Sequence, residues 1–213
     1  VSGVMDEYYM ENGDFLVGGV YYSSMRKHVP ELFDGIIAGS HRIKNIVQEL
    51  RDFSRDSPAE NMTPLSINTV IKSSITLMEN MIKKSTDFFS VDYDENIPDI
   101  QGNYQRLEQV VINLVQNSCQ ALTDKDQEIS IKTRFDQQSK FASVIIEDGG
   151  EGIPDDIKKY IMDPFFTTKR ESWGMGLGLS ISLKIIEEHQ GKFFIVSEPG
   201  KGTSVTVSLP VVT

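Results

Sequence analysis

Apolar residues recur at two different periods along this 213-residue chain, and the change of period divides it in two. In the first part Ile36, Ile43 and Leu50 stand seven apart, and Gly39, Ile46 and Phe53 form the neighbouring stripe. Arg42, Lys44, Gln48, Glu49, Arg51 and Asp52 lie between them. This is the pattern of one long amphipathic helix of bundle or coiled-coil type, expected from about Pro30, where proline suits a first turn, to Arg55. Before it, residues 1–27 carry Tyr8, Tyr9, Phe15, Leu16, Tyr21 and Tyr22 among scattered glycines. Helical pieces with a break near Asn12-Gly13-Asp14 are expected there. Asp56-Ser57-Pro58 ends the long helix, and a linker runs to about Asn61.

From Met62 the pattern alternates between helix and strand. Thr63 to Ser66 predicts a short strand. Asn68 is placed to cap a helix reaching Ser85 that carries Val70, Ile71, Ile75, Leu77, Met78 and Ile82. Phe88 to Tyr93 alternates as a strand. Tyr104 to Leu122 predicts a second helix, with Leu107, Val110, Val111, Leu114, Val115 and Cys119 inward. Glu128–Phe135 and Ala142–Glu147 predict paired strands. A third helix runs from Leu177 to about Glu188. Lys192–Ser197 and Ser204–Leu209 predict two closing strands around the turn Glu198-Pro199-Gly200-Lys201-Gly202. Helices on one face of a mixed sheet make an α+β fold, a two-layer α/β sandwich. Two domains follow: a helical region 1–58 and an α/β domain 62–213.

Composition narrows the class. Apolar residues at 39% and charged residues at 24% suit a soluble, cytoplasmic globular protein. No apolar run approaches the roughly 20 residues of a membrane helix. A chain that opens at Val1 is expected to be a fragment, with any membrane span upstream of it. A net charge of −10 disfavours nucleic acid as a partner. The lone Cys119 excludes an internal disulfide and fits core packing.

Four segments carry candidate chemistry. Asn113 and Asn117 stand four apart on one helix face, and an amide oxygen there is a hard ligand for Mg²⁺; core hydrogen bonding is the plainer alternative. Glu147-Asp148-Gly149-Gly150-Glu151-Gly152-Ile153-Pro154 follows an apolar strand. It offers a carboxylate that can accept from an exocyclic amine, though taken alone an ordinary turn explains it better. Asp163-Pro164-Phe165-Phe166-Thr167-Thr168-Lys169 leads into Trp173-Gly174-Met175-Gly176-Leu177-Gly178-Leu179, whose glycines feed a helix start. That arrangement suits phosphate, through free N–H groups and the helix dipole. Lys169 adds a cation, the phenylalanines are expected to anchor the segment, and the short polar stretch after Lys169 suits a lid. Gly200-Lys201-Gly202-Thr203 is the fourth segment and alone would be a hairpin turn. A Walker-type P-loop is absent from the sequence.

In this order and spacing the four segments resemble the N, G1, F/G2 and G3 boxes of sensor histidine kinases, within the wider superfamily of gyrase, heat-shock chaperone and mismatch-repair ATPases (the Bergerat fold). The resemblance covers about residues 62–210, and the short lid looks like the nitrogen-regulatory subgroup. Ser40-His41-Arg42-Ile43 to Arg51-Asp52-Phe53-Ser54-Arg55 resembles the second helix of the dimerisation hairpin. The resemblance implies that Asn117 holds Mg²⁺ against ATP with Asn113 beside it, and that Asp148 accepts the adenine amino group. It implies that Gly150 and Gly152 let the base approach, with Ile153 and Leu177 in the nucleotide site. Lys169, Gly174, Gly176 and Gly178 would cradle phosphates, and Thr203 would support the adenine site beside Asp148. It further implies a homodimer, a response-regulator receiver as partner, and transfer of the γ-phosphate to a histidine. Hydrolysing relatives carry a glutamate where Asn113 stands, and an amide cannot take a proton from water.

The chain departs from the family at the acceptor. No histidine here is followed by an acidic residue and Asn-Pro. His28 precedes Val29-Pro30 and is expected at a helix start, His41 lies on the second hairpin helix, and His189 is expected at the surface. Either His28 or His41 is a weak acceptor candidate, and the acceptor is expected upstream of Val1. Gly149 and Met162 also replace the usual asparagine and aromatic residue. A nucleotide-binding scaffold without transfer, or an ATPase, are the rival readings.

Overall fold

The computed structural model describes residues 2–54, 62–168 and 175–212. The expected linker 55–61, Lys169 and Gly174 therefore lie outside the described residues. The chain divides into two compact units, Val1–Leu50 and Arg51–Thr213.

The first unit is helix, ribbon, helix: α1 (Ser2–Asn12), β1 (Leu16–Val17), β2 (Val20–Tyr21) and α2 (Tyr22–Ser54). Gly13 ends α1 at φ 78°, donating to the Tyr9 carbonyl at 3.0 Å. Asp14 then starts α2: one carboxylate oxygen accepts the Ser23 N–H at 3.0 Å and the other its hydroxyl at 2.6 Å. Phe15 stacks on Tyr22 at 5.0 Å, and Asp6 of α1 accepts from the Tyr22 hydroxyl and pairs with Arg26. This anchoring corrects the expected helix start. The helix begins at Tyr22, and Pro30 lies inside it. An interior proline removes one helical hydrogen bond and costs about 3 kcal/mol, against which the cap at Asp14 and the packing around Tyr22 hold the start of the helix. His28 therefore lies within the helix, exposed, with Nδ1 2.7 Å from the Ser24 carbonyl oxygen.

The second unit contains β3 (Thr63–Leu65), α3 (Ile67–Ser85), β4 (Phe88–Asp92), β5 (Ile100–Gly102), α4 (Tyr104–Ala121), β6 (Glu128–Asp136), β7 (Phe141–Asp148), α5 (Gly178–Glu188), β8 (Lys192–Glu198) and β9 (Gly202–Pro210). The main sheet has the order β4-β6-β7-β9-β8. Only β4 and β6 run parallel within it; the other neighbours are antiparallel. Alternation sets the layers. Ile129, Ile131, Val144, Ile146, Val205 and Val207 point to the side where α4 and α5 bury Val111, Leu114, Val115, Ile181, Ile185 and Ile186. The two-layer α/β sandwich expected from the pattern is thus present. β5 pairs with β3 in a small second sheet; three residues are too few to leave a trace in the periodicity.

Three expectations change. Asn68 does not cap α3, because Ser66 holds that position and the Asn68 amide donates to the Asp94 carbonyl at 3.0 Å. Leu77 is 65% exposed, because it falls outside the stripe of Val70, Ile71, Met78 and Ile82. His189 is buried, at 4% exposure, rather than on the surface. Its Nδ1 lies 2.7 Å from the Ile185 carbonyl, and its Nε2 accepts the backbone N–H of Asn103 at 3.0 Å. The ring is therefore the neutral Nδ1–H tautomer, joining the end of α5 to the start of α4.

Burial lowers the His189 pKa below its ordinary value. Protonation is then easier in the unfolded chain than in the folded one. Stability is full above the unfolded value near 6.5 and falls as pH drops below it, by at most about 1.4 kcal/mol per pH unit for one proton. Urea unfolding between pH 7.5 and 5.5 checks this: the wild-type chain loses stability across that window, and His189→Gln loses less.

Candidate functional site

The β7–β9 register places one transverse row at the end of the sheet. Asp148 lies opposite Thr203, and Thr203 lies opposite Ser197 of β8. All three continue the faces of Ile146, Val205 and Ile195, so they share the helix side of the sheet. The neighbouring carboxylate does not. Glu147 points to the opposite face, where the Lys132 ammonium at 2.5 Å holds its carboxyl below the ordinary range. Of the two adjacent acids, Asp148 alone therefore lies on the face of this row.

Three glycines near the row are required by close backbone approach. Gly202, at φ 92°, passes so close that an added Cβ would lie 1.8 Å from the Asp148 carbonyl oxygen. Gly152, at φ 68°, would place a Cβ 2.2 Å from the Glu198 carbonyl oxygen. Gly150 would place one 2.5 Å from the Ala121 carbonyl oxygen at the end of α4, to which Glu151 N–H donates at 3.0 Å. Sequence reasoning assigned Gly150 and Gly152 to the approach of a base. In the structure the space beside them is filled by the chain's own backbone, so both fix the path of the loop. Asp148 steadies that loop by accepting the Gly150 N–H at 3.0 Å.

Ser197 had no signal in the sequence. Its hydroxyl accepts the Ile153 N–H at 2.8 Å, donates to the Gly202 carbonyl at 2.9 Å and lies 2.9 Å from the Thr203 hydroxyl. It thereby joins the loop after β7 to the turn before β9. Only register reveals it, because it lies in a strand rather than in a motif.

Asn113 and Asn117 share a face of α4, as expected, but both are half-buried rather than sealed from water. The Asn113 amide lies 3.3 Å from the Gly178 carbonyl and 3.4 Å from the Ser182 hydroxyl, clamping the first turn of α5. That commits its NH₂ group to the protein and leaves the carbonyl oxygen as its outward chemistry. Leu177 is fully buried, at 0% exposure, and its carbonyl accepts from Ile181 N–H. It anchors α5 in the core, so any nucleotide contact from it comes from the backbone. The N–H groups that open α5 have no partner within the helix.

The segment ahead of α5 closes on itself. Phe165, at φ 69°, donates its N–H to the Gly176 carbonyl at 2.9 Å. Gly176, at φ 73°, leaves no room for a Cβ, which would lie 2.3 Å from the Phe166 carbonyl oxygen. This crossing fixes both ends of the expected lid. Phe166 packs on Tyr160 at 5.8 Å, but Phe165 is 58% exposed and is not the core anchor expected of it.

Residues 102–213 match the family of histidine kinase-, DNA gyrase B- and HSP90-like ATPases. The chain belongs to this family. A putative sensor protein of Shewanella frigidimarina is 35% identical over 93% of the chain and 30% of its own length. The signal transduction histidine-protein kinase AtoS of Escherichia coli is 35% identical over 79% of the chain and 27% of its own length. The catalytic domain of histidine kinase ThkA superposes with a TM-score of 0.62 at 32% identity, covering 71% of this chain and 96% of that one. ThkA in complex with the response regulator TrrA gives 0.67 at 26% identity over 99% of this chain and 57% of that one. The matched part corresponds to the ATP-binding catalytic portion of a sensor histidine kinase, and the chain spans less than a third of the two curated relatives.

The glycines of the run separate experimentally. Gly178 has open space, with Asn113 Cγ at 3.8 Å from an added Cβ. Gly178→Ala is expected to change stability by less than about 0.5 kcal/mol. Gly176→Ala is expected to cost about 2 kcal/mol or more, from left-handed strain and overlap with Phe166. Thermal unfolding of the two variants measures both.

Proposed function

We propose that this chain binds Mg²⁺·ATP between the Asp148–Thr203 row and the start of α5, and supplies the γ-phosphate to a histidine of its own protein. The carrying observations are that Asp148 and Thr203 share one face at the end of the sheet, and that Asn113 of α4 holds the first turn of α5, within a family of ATPase domains. Asp148 accepts the adenine amino group, with Thr203 beside it. The N–H groups opening α5, with Gly176, Gly178 and the adjoining Gly174 and Lys169, receive the phosphates.

Among the described residues no group of three or more His, Cys, Asp or Glu is gathered as a metal cage. That suits Mg²⁺, which keeps waters and takes substrate phosphates as ligands. The Asn117 carbonyl oxygen is the protein ligand proposed for it, with Asn113 adjoining. The ion would neutralise charge on the transferring group, while the chain positions it.

Transfer rather than hydrolysis is favoured by Asn113. Its amide is engaged with α5, and it has no basic group to take a proton from water. The receiving histidine is reached in the assembled protein, which the family likeness suggests is a homodimer. Exposed Leu32, Phe33, Ile36, Ile37, Ile43 and Val47 on α2 supply apolar surface for it. His28 and His41 are the weaker acceptor candidates within this chain. A response-regulator receiver is the proposed onward acceptor, by likeness to the ThkA–TrrA complex. Among the described residues no helix is long and apolar enough to cross a membrane.

Calorimetric titration with Mg²⁺·ATP tests the site. Asp148→Asn and Asn117→Asp are each expected to weaken binding at least about 30-fold, the equivalent of a lost charge-assisted contact or ligand. Unchanged affinity in both folded variants would remove this assignment. Labelled ATP with the full-length protein tests transfer: an acid-labile, base-stable label is expected, whereas steady phosphate release without label would favour an ATPase.

A further inference from the structure

β8 ends the main sheet beyond β9, and among the described residues no strand pairs with its other edge. Sheets usually blunt such an edge with a proline, a bulge, a very short strand or a charge within the strand. β8 has none of these. It runs seven residues in unbroken register with β9, Lys-Phe-Phe-Ile-Val-Ser-Glu, and its two charges stand at its ends. Lys201 N–H donates to the Glu198 carbonyl at 3.0 Å, so Glu198 turns its peptide groups toward β9. By alternation the peptide groups of Phe193, Ile195 and Ser197 point away from β9, along the other edge.

Side chains alternate as well. Lys192, Phe194, Val196 and Glu198 are exposed on the outer face of the sheet, Phe194 at 56% and Val196 at 73%. Phe193, Ile195 and Ser197 face the helices and are only half-buried. This strand is complementary to itself read backwards. Reversed about Ile195, Lys192 meets Glu198, Phe194 meets Val196, Phe193 meets Ser197 and Ile195 meets Ile195. Slipping by two residues is the smallest shift that keeps the faces matched. It sets Lys192 against Val196 one way and Phe194 against Glu198 the other, so only the first register pairs the charges.

We propose that the edge of β8 is a docking surface for β8 of a second copy of this chain, joined antiparallel about a two-fold axis through Ile195. The peptide groups of Phe193, Ile195 and Ser197 then bond across the axis. Phe194 and Val196 of both copies form one apolar cluster on the outer face, with a lysine–glutamate pair at each end. Both charges have partners to exchange. Lys192 lies over the Phe141 ring at 4.6 Å, and Glu198 pairs with Lys201 at 2.7 Å. The latter pair is well exposed, and such contacts are worth little. One strand pair buries less than the roughly 1,000 Å² of a lasting complex. The contact is therefore weak alone and is reinforced wherever another interface already holds two copies together. It uses neither the α2 surface nor the nucleotide reading.

Disulfide trapping on the whole 213-residue chain tests the register. One preparation carries Phe194→Cys and the other Val196→Cys, both at exposed positions; the native Cys119 is buried. In the proposed pairing these two positions face each other as a non-hydrogen-bonded pair, about 4.5 Å between Cα atoms, within disulfide reach. Two like positions stand diagonally, about 7–8 Å apart, beyond that reach. The preparations are mixed equally under mild oxidation, and the linked peptides are counted by mass spectrometry. The unlike disulfide is expected to exceed each like one at least about tenfold, where random collision gives about twofold. A ratio near the random value, or no cross-link, overturns the proposal. Glu198→Lys added to both preparations sets like charges together at both ends and is expected to lower the ratio at least about threefold. Adding Lys192→Glu as well restores opposite charges and should restore the ratio. A ratio that Glu198→Lys leaves unmoved, or that the double reversal fails to restore, overturns the proposed pairing.

Discussion

The close passage of Gly202 over the carbonyl of Asp148 is the constraint on which the rest of the site depends. Two strands that end side by side cannot normally bring backbone this near, because a Cβ at Gly202 would overlap the opposing oxygen. With glycine there, β7 and β9 remain paired to their last residues. Asp148 and Thr203 then come into register on one face. The same contact carries Ser197 into the row, because β8 returns through the turn that Gly202 ends. Cross-strand neighbours on one face lie about 4.5–5.5 Å apart between Cβ atoms. Polar chemistry placed in this row is therefore preorganised by the sheet and needs no loop to move.

The helices answer the row from above. His189 ties the end of α5 to the start of α4 through the Asn103 backbone, and Arg106 pairs with Glu188 at the same junction. At the opposite end of α5, Asn113 of α4 holds the Gly178 carbonyl. The two helices are thus pinned at both ends of α5, and the N-terminus that would meet phosphate is held at a fixed height over the sheet. Helices and strands carry these residues, and the Phe165–Gly176 hydrogen bond joins the segment before α5 to the turn that opens it.

Much of this was legible in the sequence because periodicity and core burial coincide. Leu107, Val110, Val111, Leu114, Val115 and Cys119 were expected inward, and all are buried. The order of four motifs carried the family, and the family match over residues 102–213 agrees with it. The illegible parts have physical causes. α2 ran past Pro30 because a cap at Asp14 and an aromatic cluster around Tyr22 outweigh a local helix breaker. His189 was assigned to the surface because a polar residue at a helix end carries no sign that a distant backbone N–H needs an acceptor. The packing of Gly150 and Gly152 against the backbone of Ala121 and Glu198 was hidden because a sequence does not show which distant carbonyl a glycine passes. Ser197 was invisible because a single serine in a strand gains meaning only from cross-strand register.

The most direct test follows backbone amide resonances of the isotope-labelled chain while Mg²⁺ and a non-hydrolysable ATP analogue are added. Saturable shifts are predicted to concentrate at Asp148 to Ile153, at Thr203, at Asn113 and Asn117, and at the first turn of α5. Phe88 and Val196, on the opposite face of the sheet, should stay still. Shifts centred on that opposite face, or none at millimolar analogue, would contradict the placement of the nucleotide site.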